Sequence, residues 1–275
     1  MENHIGQQIA QKRKELGYTQ QKLADVLKVS FQAVSKWERG STTPDIALLP
    51  EIARILNTTV DVLVGYQAKP MTHYEDKYRE EDFYWGLEPN KMCYDVMRLR
   101  PPVKPYRVLD IGCGEGKDAV FFARNGYRVT AFDIADAGLE KARRLADHHQ
   151  VEIDFFRGDV NEFRLDREFD IIFSSGVIHY IVRDQRERLI NNLKTHTAVN
   201  GIHAIKVFVQ KPFLEPAPDL EEREKAVEPW RSGELAGYYH DWLFHQNEEI
   251  IFDCNSGGIP HKHCMDILIG EKPGL

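Results

Sequence analysis

"VLDIGCGEG", Val108 to Gly116, places glycines at 112, 114 and 116 behind an apolar run that carries an acid at Asp110. Glycine at alternate positions lets a backbone turn tightly and lie against another group with no Cβ between them. Outward from this bend the chain alternates strand-like and helix-like segments. They are "RVLDI", "DAVFFARNG", "RVTAFDI", "AGLEKARRLADHH", "IDFFRGD", "FDIIFSS", "RERLINNLKTHT" and "GIHAIKVFV". Apolar strands separated by amphipathic helices predict an α/β fold with a doubly wound, mostly parallel sheet covered on both faces. In such sheets ligands sit beyond the carboxyl ends of the strands, where the topology reverses. Asp110, Asp133, Asp159 and Ser174-Ser175 all fall at predicted strand ends, on that rim.

A chain of 275 residues predicts two domains, or one domain with an appendage. The 42% hydrophobic and 29% charged residues are ordinary for a globular protein. No apolar run reaches about 18 residues and no charged-then-apolar leader is present, so the expectation is a cytoplasmic protein without a membrane segment. Four cysteines without framework spacing fit a reduced compartment. A net charge of −7 argues against nonspecific nucleic-acid binding by the whole molecule and leaves only a local patch for DNA.

A dinucleotide pyrophosphate would need glycines at the first, third and sixth positions of the bend, the last allowing close helix packing. Position 117 is lysine, which weakens that reading. The D-x-G-x-G-x-G form at 110–116 instead resembles the class I methyltransferases that use S-adenosyl-L-methionine (SAM) and release S-adenosylhomocysteine (SAH). The resemblance implies a Rossmann-like methyltransferase sheet. Asp110 would then hydrogen-bond the methionine ammonium, Asp133 the ribose hydroxyls, and Asp159 the adenine amine with Val160 against the ring. Gly112, Cys113, Gly114, Gly116, Ile134 and Ser174 complete the implied cofactor set.

Residues 5 to 64 read as short helices. Thr19 caps "QQKLADVL", Ser30 caps "FQAVSKWE" before Gly40, Pro44-Asp45 opens a fourth helix to about Leu56, and Asp61 to Val64 gives a fifth turn. Two short helices joined by a very short turn free the second to enter a major groove. "TQQKLADVLKVSFQAVSKWERGSTTPDIALLPEIARIL" resembles the Cro and phage-repressor helix-turn-helix. Lys28 stands where that family has a left-handed glycine, at a cost of about 1 kcal/mol. The resemblance implies an all-α DNA-binding domain at 1–66, with Phe31, Gln32, Ser35 and Lys36 facing base edges and Arg13, Gln20 and Arg39 on phosphates. With 8 Lys/Arg against 7 Asp/Glu over that stretch, the module is only weakly basic and suits a homodimer on a two-fold site in double-stranded DNA. A linker at 67–73 follows. From Tyr74 onward Tyr78, Phe83, Tyr84 and Trp85 make the joint too aromatic for a free linker. They either lid a ligand or pack against the domain at 74–275.

"DIGCGEGKDAVFFARNGYRVTAFDI", "DKY" at 76–78 and "GELAGYYHDW" at 233–242 resemble the tellurite-resistance methyltransferases. That family carries a His-Arg pair and further basic residues near its last hairpin, where this chain has Cys254-Asn255 and His261-Lys262-His263-Cys264. A metalloid oxyanion or a thiol brings its own lone pair and needs no strong base. His179 falls beside the expected methyl position. Strand alternation puts His261 and His263 on one face and Lys262 and Cys264 on the other, so the expectation is two histidines facing a small-molecule acceptor and no metal site. A DNA amino-methylase would show an Asp/Asn/Ser-Pro-Pro-aromatic run after the fourth strand; "SSGVIH" stands there. Two functional readings remain: a methyltransferase tethered to DNA, or a regulator that only senses SAM or SAH.

Overall fold

The computed structural model describes residues 4–64, 72, 74–215, 228–255 and 259–274. The chain divides into two compact units, 1–69 and 70–275. Of the expected linker only Thr72 is among the described residues. No helix among them is long and apolar enough to cross a membrane.

The first unit holds α1 (His4–Glu15), α2 (Gln20–Leu27), α3 (Phe31–Glu38), α4 (Leu49–Ile55) and α5 (Val60–Val64). Both sequence-read caps form. Thr19 Oγ1 accepts from Lys22 N at 3.0 Å, and Ser30 Oγ accepts from Ala33 N at 3.2 Å. Lys28 adopts the left-handed conformation at φ 53°. The fourth helix starts later than Pro44 suggests: a 3-10 turn, Ile46–Leu48, precedes α4. Pro50 has no N–H to close an α-turn back onto residue 46, so the tighter turn persists there. Leu23, Val34, Trp37, Ile52 and Leu63 form the core of the unit.

Arg13 does not reach outward. It is buried, its Nε donates to Glu38 Oε1 at 2.6 Å and its Nη1 to Tyr18 O at 2.5 Å. Gln20 Nε2 donates to the same carboxylate at 2.8 Å. The expected phosphate contact of Arg13 is therefore corrected: the guanidinium ties α1 to the end of α3. Burial alone would raise the Glu38 pKa, but the Arg13 and Gln20 hydrogen bonds hold it below the ordinary value.

In the second unit α6 (Tyr74–Arg79) and α7 (Lys91–Leu99) precede the sheet. Then follow β1 (Arg107–Ile111), α8 (Lys117–Arg124), β2 (Arg128–Asp133), α9 (Asp136–His148), β3 (Ile153–Arg157), β4 (Phe169–Ser175), α10 (Arg183–Thr195), β5 (Thr197–Val209), β6 (Leu243–Cys254) and β7 (His261–Glu271). The seven strands run β3-β2-β1-β4-β5-β7-β6. β1 to β5 pair in parallel, and β7 enters antiparallel between β5 and β6. Period-two alternation splits the strands between two cores. Val108, Ile171 and Phe173 pack with α7, α8 and α9 on one face, while Leu109, Ile111 and Ile172 pack with α10 on the other. Because both faces are covered, the loops at the carboxyl ends of the strands form the open edge.

Replacing Arg13 leaves the Glu38 carboxylate without its cation. The Arg13→Ala chain is expected to lose about 3 kcal/mol of local stability. Hydrogen exchange of the α1 and α3 amides reads this, and the exposed Arg39→Ala change leaves the same amides protected.

Candidate functional site

Position 112 must be glycine. Gly112 sits at φ +71°, and a Cβ there would lie 2.1 Å from Val177 Cγ2. A Cβ at Gly114 would meet the Tyr78 hydroxyl at 2.9 Å. The loop thus lies bare along a cavity of about 670 Å³ within the second unit. Asp110, Gly112, Cys113, Gly114, Asp133, Ile134, Asp159 and Val160 all line it, as the sequence pattern anticipates. Two of the cofactor positions do not. Gly116 caps α8 in the left-handed conformation and faces Ala142, whose Cβ would be 2.6 Å from an added methyl, so its role is helix packing. Ser174 is fully buried and donates to Ile111 O at 3.4 Å; its neighbour Ser175 lines the cavity instead.

The acids differ in their surroundings. Asp110 is 2% exposed, and its Oδ2 has no hydrogen-bond partner among the described residues. Burial first, then the neighbouring Asp118 and Asp133, push its carboxyl well above the ordinary value. Asp133 is also raised by burial, opposed by backbone N–H groups. Its Oδ2 accepts from Gly114 N at 2.8 Å and its Oδ1 from Ala135 N at 2.9 Å. Backbone N–H groups of Gly114, Ile134 and Ala135 thus share a carboxylate that still has acceptor capacity left. Asp159 Oδ1 accepts from Asn161 N at 2.9 Å. Burial keeps the Cys113 thiol protonated, so it is no nucleophile.

The aromatic joint is part of the site. Tyr74, Tyr78 and Trp85 line the cavity, and Trp85 Nε1 donates to the Tyr78 hydroxyl at 3.1 Å. Glu115, inside the glycine bend, holds this segment down. It is 3% exposed and accepts from Tyr84 N and Trp85 N, each at 3.2 Å, and from Lys141 Nζ at 2.8 Å. Asp118, at the start of α8, accepts from Asn90 N at 2.7 Å, and Asn90 Nδ2 reaches Ser175 Oγ at 2.9 Å. Sequence reasoning missed Glu115, Asp118 and Asn90, because their partners lie far along the chain and no local pattern announces them.

On the far wall His179 lines the cavity from the turn Ile178–Tyr180, with Phe208 edge-on at 4.9 Å between ring centres. Phe208 also packs against His263 with the rings tilted and their centres 4.8 Å apart, and His263 lines the cavity with Cys254. His261 does not line it; its Nε2 stands 2.8 Å from that of His263.

The set of residues fits SAM by its own chemistry: a buried carboxylate with one oxygen unpartnered among the described residues for an ammonium, a bare glycine wall, and two further acids along the rim for hydroxyl and amine donors. The family model of the tellurite resistance protein TehB matches residues 76–255. The chain belongs to the TehB family. A helix-turn-helix model matches residues 9–63.

Among TehB relatives, the chain is 25% identical over 194 residues to the probable SAM-dependent methyltransferase TehB of Haemophilus influenzae, covering 70% of this chain and 63% of that protein. It thus spans less than two thirds of that curated relative. It is 30% identical over 118 residues to the ubiquinone biosynthesis O-methyltransferase of Rickettsia conorii, covering 43% of this chain and 38% of the relative. The crystal structure of TehB from H. influenzae superposes with a TM-score of 0.60 at 23% identity, over 72% of this chain and 67% of that one. The N-methyltransferase NodS from Bradyrhizobium japonicum, in complex with SAH, superposes at 0.51 and 16% identity, over 72% and 96%. The fold is therefore the Rossmann-like methyltransferase fold.

The helix-turn-helix side chains fall as follows. Phe31, Gln32, Lys36 and Arg39 are exposed, while Ser35 and Gln20 are half-buried. Arg39 Nε donates to Ser35 O at 3.1 Å.

A buried carboxyl whose folded pKa is raised costs the native state nothing below the unfolded-state pKa, and stability is lost as pH rises from there through the folded pKa. Asp110→Asn removes this effect, and the ligand-free protein is expected to melt roughly 2–4 °C higher at neutral pH. The gain disappears below the unfolded-state pKa of about 3.9, where the acid is protonated in both states. Scanning calorimetry at the two pH values checks it.

Proposed function

We propose that residues 70–275 act as a SAM-dependent class I methyltransferase on a small molecule, and that residues 1–69 bind double-stranded DNA as a homodimer. The observation that carries the first part is the buried Asp110 carboxylate, whose Oδ2 has no partner among the described residues, against the glycine bend of a cavity large enough for a nucleoside and an acceptor. SAM, when bound, supplies an electrophilic methyl group on a sulfonium.

The chain's own part is to bind, orient and exclude water. Asp110 takes the ammonium end, and Asp133 takes the ribose hydroxyls on the lone pairs its backbone donors leave. Asp159 takes the adenine amine, with Val160 and Ile134 against the ring. Tyr74, Tyr78 and Trp85 close the segment over the bend and hold water out. Because methyl transfer is an in-line displacement, positioning of the acceptor supplies much of the acceleration. The acceptor wall, with His179, Phe208, Cys254 and His263, is aromatic and soft. It suits a thiol or a selenite- or tellurite-type oxyanion, for which His179 and His263 orient the acceptor rather than deprotonate it.

For the DNA unit the exposed face of α3 supports the reading. Gln32 suits an adenine edge, Lys36 a guanine, and Ser35 and Phe31 flank them. Arg39 and Gln20 take phosphates. The presence of this module on the same chain favours a second reading, in which SAM or SAH only shifts operator affinity. That reading requires the ligand to bind the DNA-competent and incompetent states differently.

Three measurements test these readings. Calorimetry with SAH is expected to show one site, weakened about a hundredfold or more in Asp133→Ala, since both ribose hydroxyl contacts are charge-assisted. Absence of SAH binding by the parent chain removes the methyltransferase proposal. Incubation with methyl-labelled SAM and a panel of thiols, selenite and tellurite is expected to label a product; SAM-dependent operator binding with no labelled product turns the assignment to the sensor. In footprinting, Gln32→Ala is expected to relax specificity at one base pair, at a cost of about 1–3 kcal/mol.

A further inference from the structure

We infer that Cys254, His261 and His263 form a metal site of the zinc class, open toward the acceptor end of the cavity. The expectation of no metal rested on strand alternation, which keeps Cys264 on the opposite face from the two histidines. Alternation does not exclude a third ligand from the neighbouring strand, and β6 supplies it. In the antiparallel pairing of β6 with β7, Cys254 is the register partner of His261, and Phe252 that of His263. Residues two apart on one strand share a face, and a register partner stands beside them, so three ligands converge without a bend. One donor atom from each lies within 4.8 Å of the other two, and all three residues are half-buried. An ion with Zn–N near about 2.0 Å and Zn–S near about 2.3 Å sets tetrahedral ligands roughly 3.5 Å apart, a spread small side-chain rotations reach.

The hydrogen bonding of His261 is a second, independent observation. Its Nδ1 lies 2.7 Å from Ile259 O. A carbonyl only accepts, so Nδ1 carries the proton and Nε2 presents its lone pair. That lone pair points into the cluster, 2.8 Å from His263 Nε2. A backbone carbonyl holding the distal N–H is the arrangement that fixes the tautomer of ligating histidines. On the other face Lys262 pairs with Asp253 at 2.6 Å, which keeps its charge engaged away from the ligands.

One thiolate and two neutral imidazoles select a borderline-soft cation over magnesium or calcium. Three protein ligands leave a fourth position, as in open zinc sites. Cys254 and His263 line the cavity, so that position faces it and offers a soft donor, such as an acceptor thiolate, a place to bind. Metal binding itself is independent of the methyltransferase reading.

The test is zinc titration of the purified full chain against a chromogenic chelator, with cobalt loading as a spectroscopic check. One zinc per chain is expected, weakened about tenfold or more in both Cys254→Ser and His261→Gln and unchanged in Cys264→Ser. The cobalt form is expected to show sulfur-to-metal charge-transfer absorption that Cys254→Ser abolishes while circular dichroism shows the variant folded. Failure of the parent chain to bind stoichiometric zinc overturns the site. So does retention of parent affinity in both ligand variants.

Discussion

The second unit is organised around one unfavourable burial: the carboxylate of Asp110, placed at the end of a central strand with an oxygen that has no partner among the described residues. Taking a charge out of water is costly unless it is paired, and a carboxyl in this position responds by holding its proton. The bend beside it offers only two side chains, and both are turned elsewhere: the Cys113 thiol donates to Gly114 O, and Glu115 accepts from residues 84 and 85 and Lys141. Strands β1, β2 and β3 supply the rigid frame, and their adjacency in the sheet puts the acids that follow or end them on one rim.

A frame of this kind leaves its ligand open to solvent unless another segment covers it. Here the cover comes from the chain preceding the sheet. Glu115 sits in the bend itself and accepts two backbone N–H groups from residues 84 and 85, while Lys141 from α9 neutralises it. The pair is nearly buried on both sides, with side-chain exposures of 4% and 2%. Removal of one partner of such a pair is far more damaging than its presence is stabilising. The ligand loop and its lid are consequently coupled through one carboxylate.

Much of this was legible in the sequence because it is written in short-range patterns. The strand and helix alternation after Arg107, the caps at Thr19 and Ser30, the left-handed Lys28 and the acids at 110, 133 and 159 depend on local spacing, and the structure places them accordingly. What the sequence did not disclose depends on long-range partners. Arg13 looked like a surface cation until Glu38, on another helix, claimed it. Ser174 and Ser175 are indistinguishable by type, and only the pleat decides which one faces the cavity. Gly116 belongs to the glycine pattern but serves the approach of α9. The role of Glu115 requires knowing where residues 84 and 85 travel. Cys254 joins His261 and His263 only through strand register, which the intervening residues do not announce.

The most direct test of the role given to Asp110 is proton release on ligand binding. SAH carries a permanently protonated ammonium on the acid side of neutrality, so its arrival lowers the pKa of a carboxyl that burial had raised. Calorimetry of SAH binding in buffers of different ionisation enthalpy should therefore show protons released, with affinity rising as pH increases toward neutrality. Binding heats that do not depend on the buffer, or net proton uptake, would contradict the account.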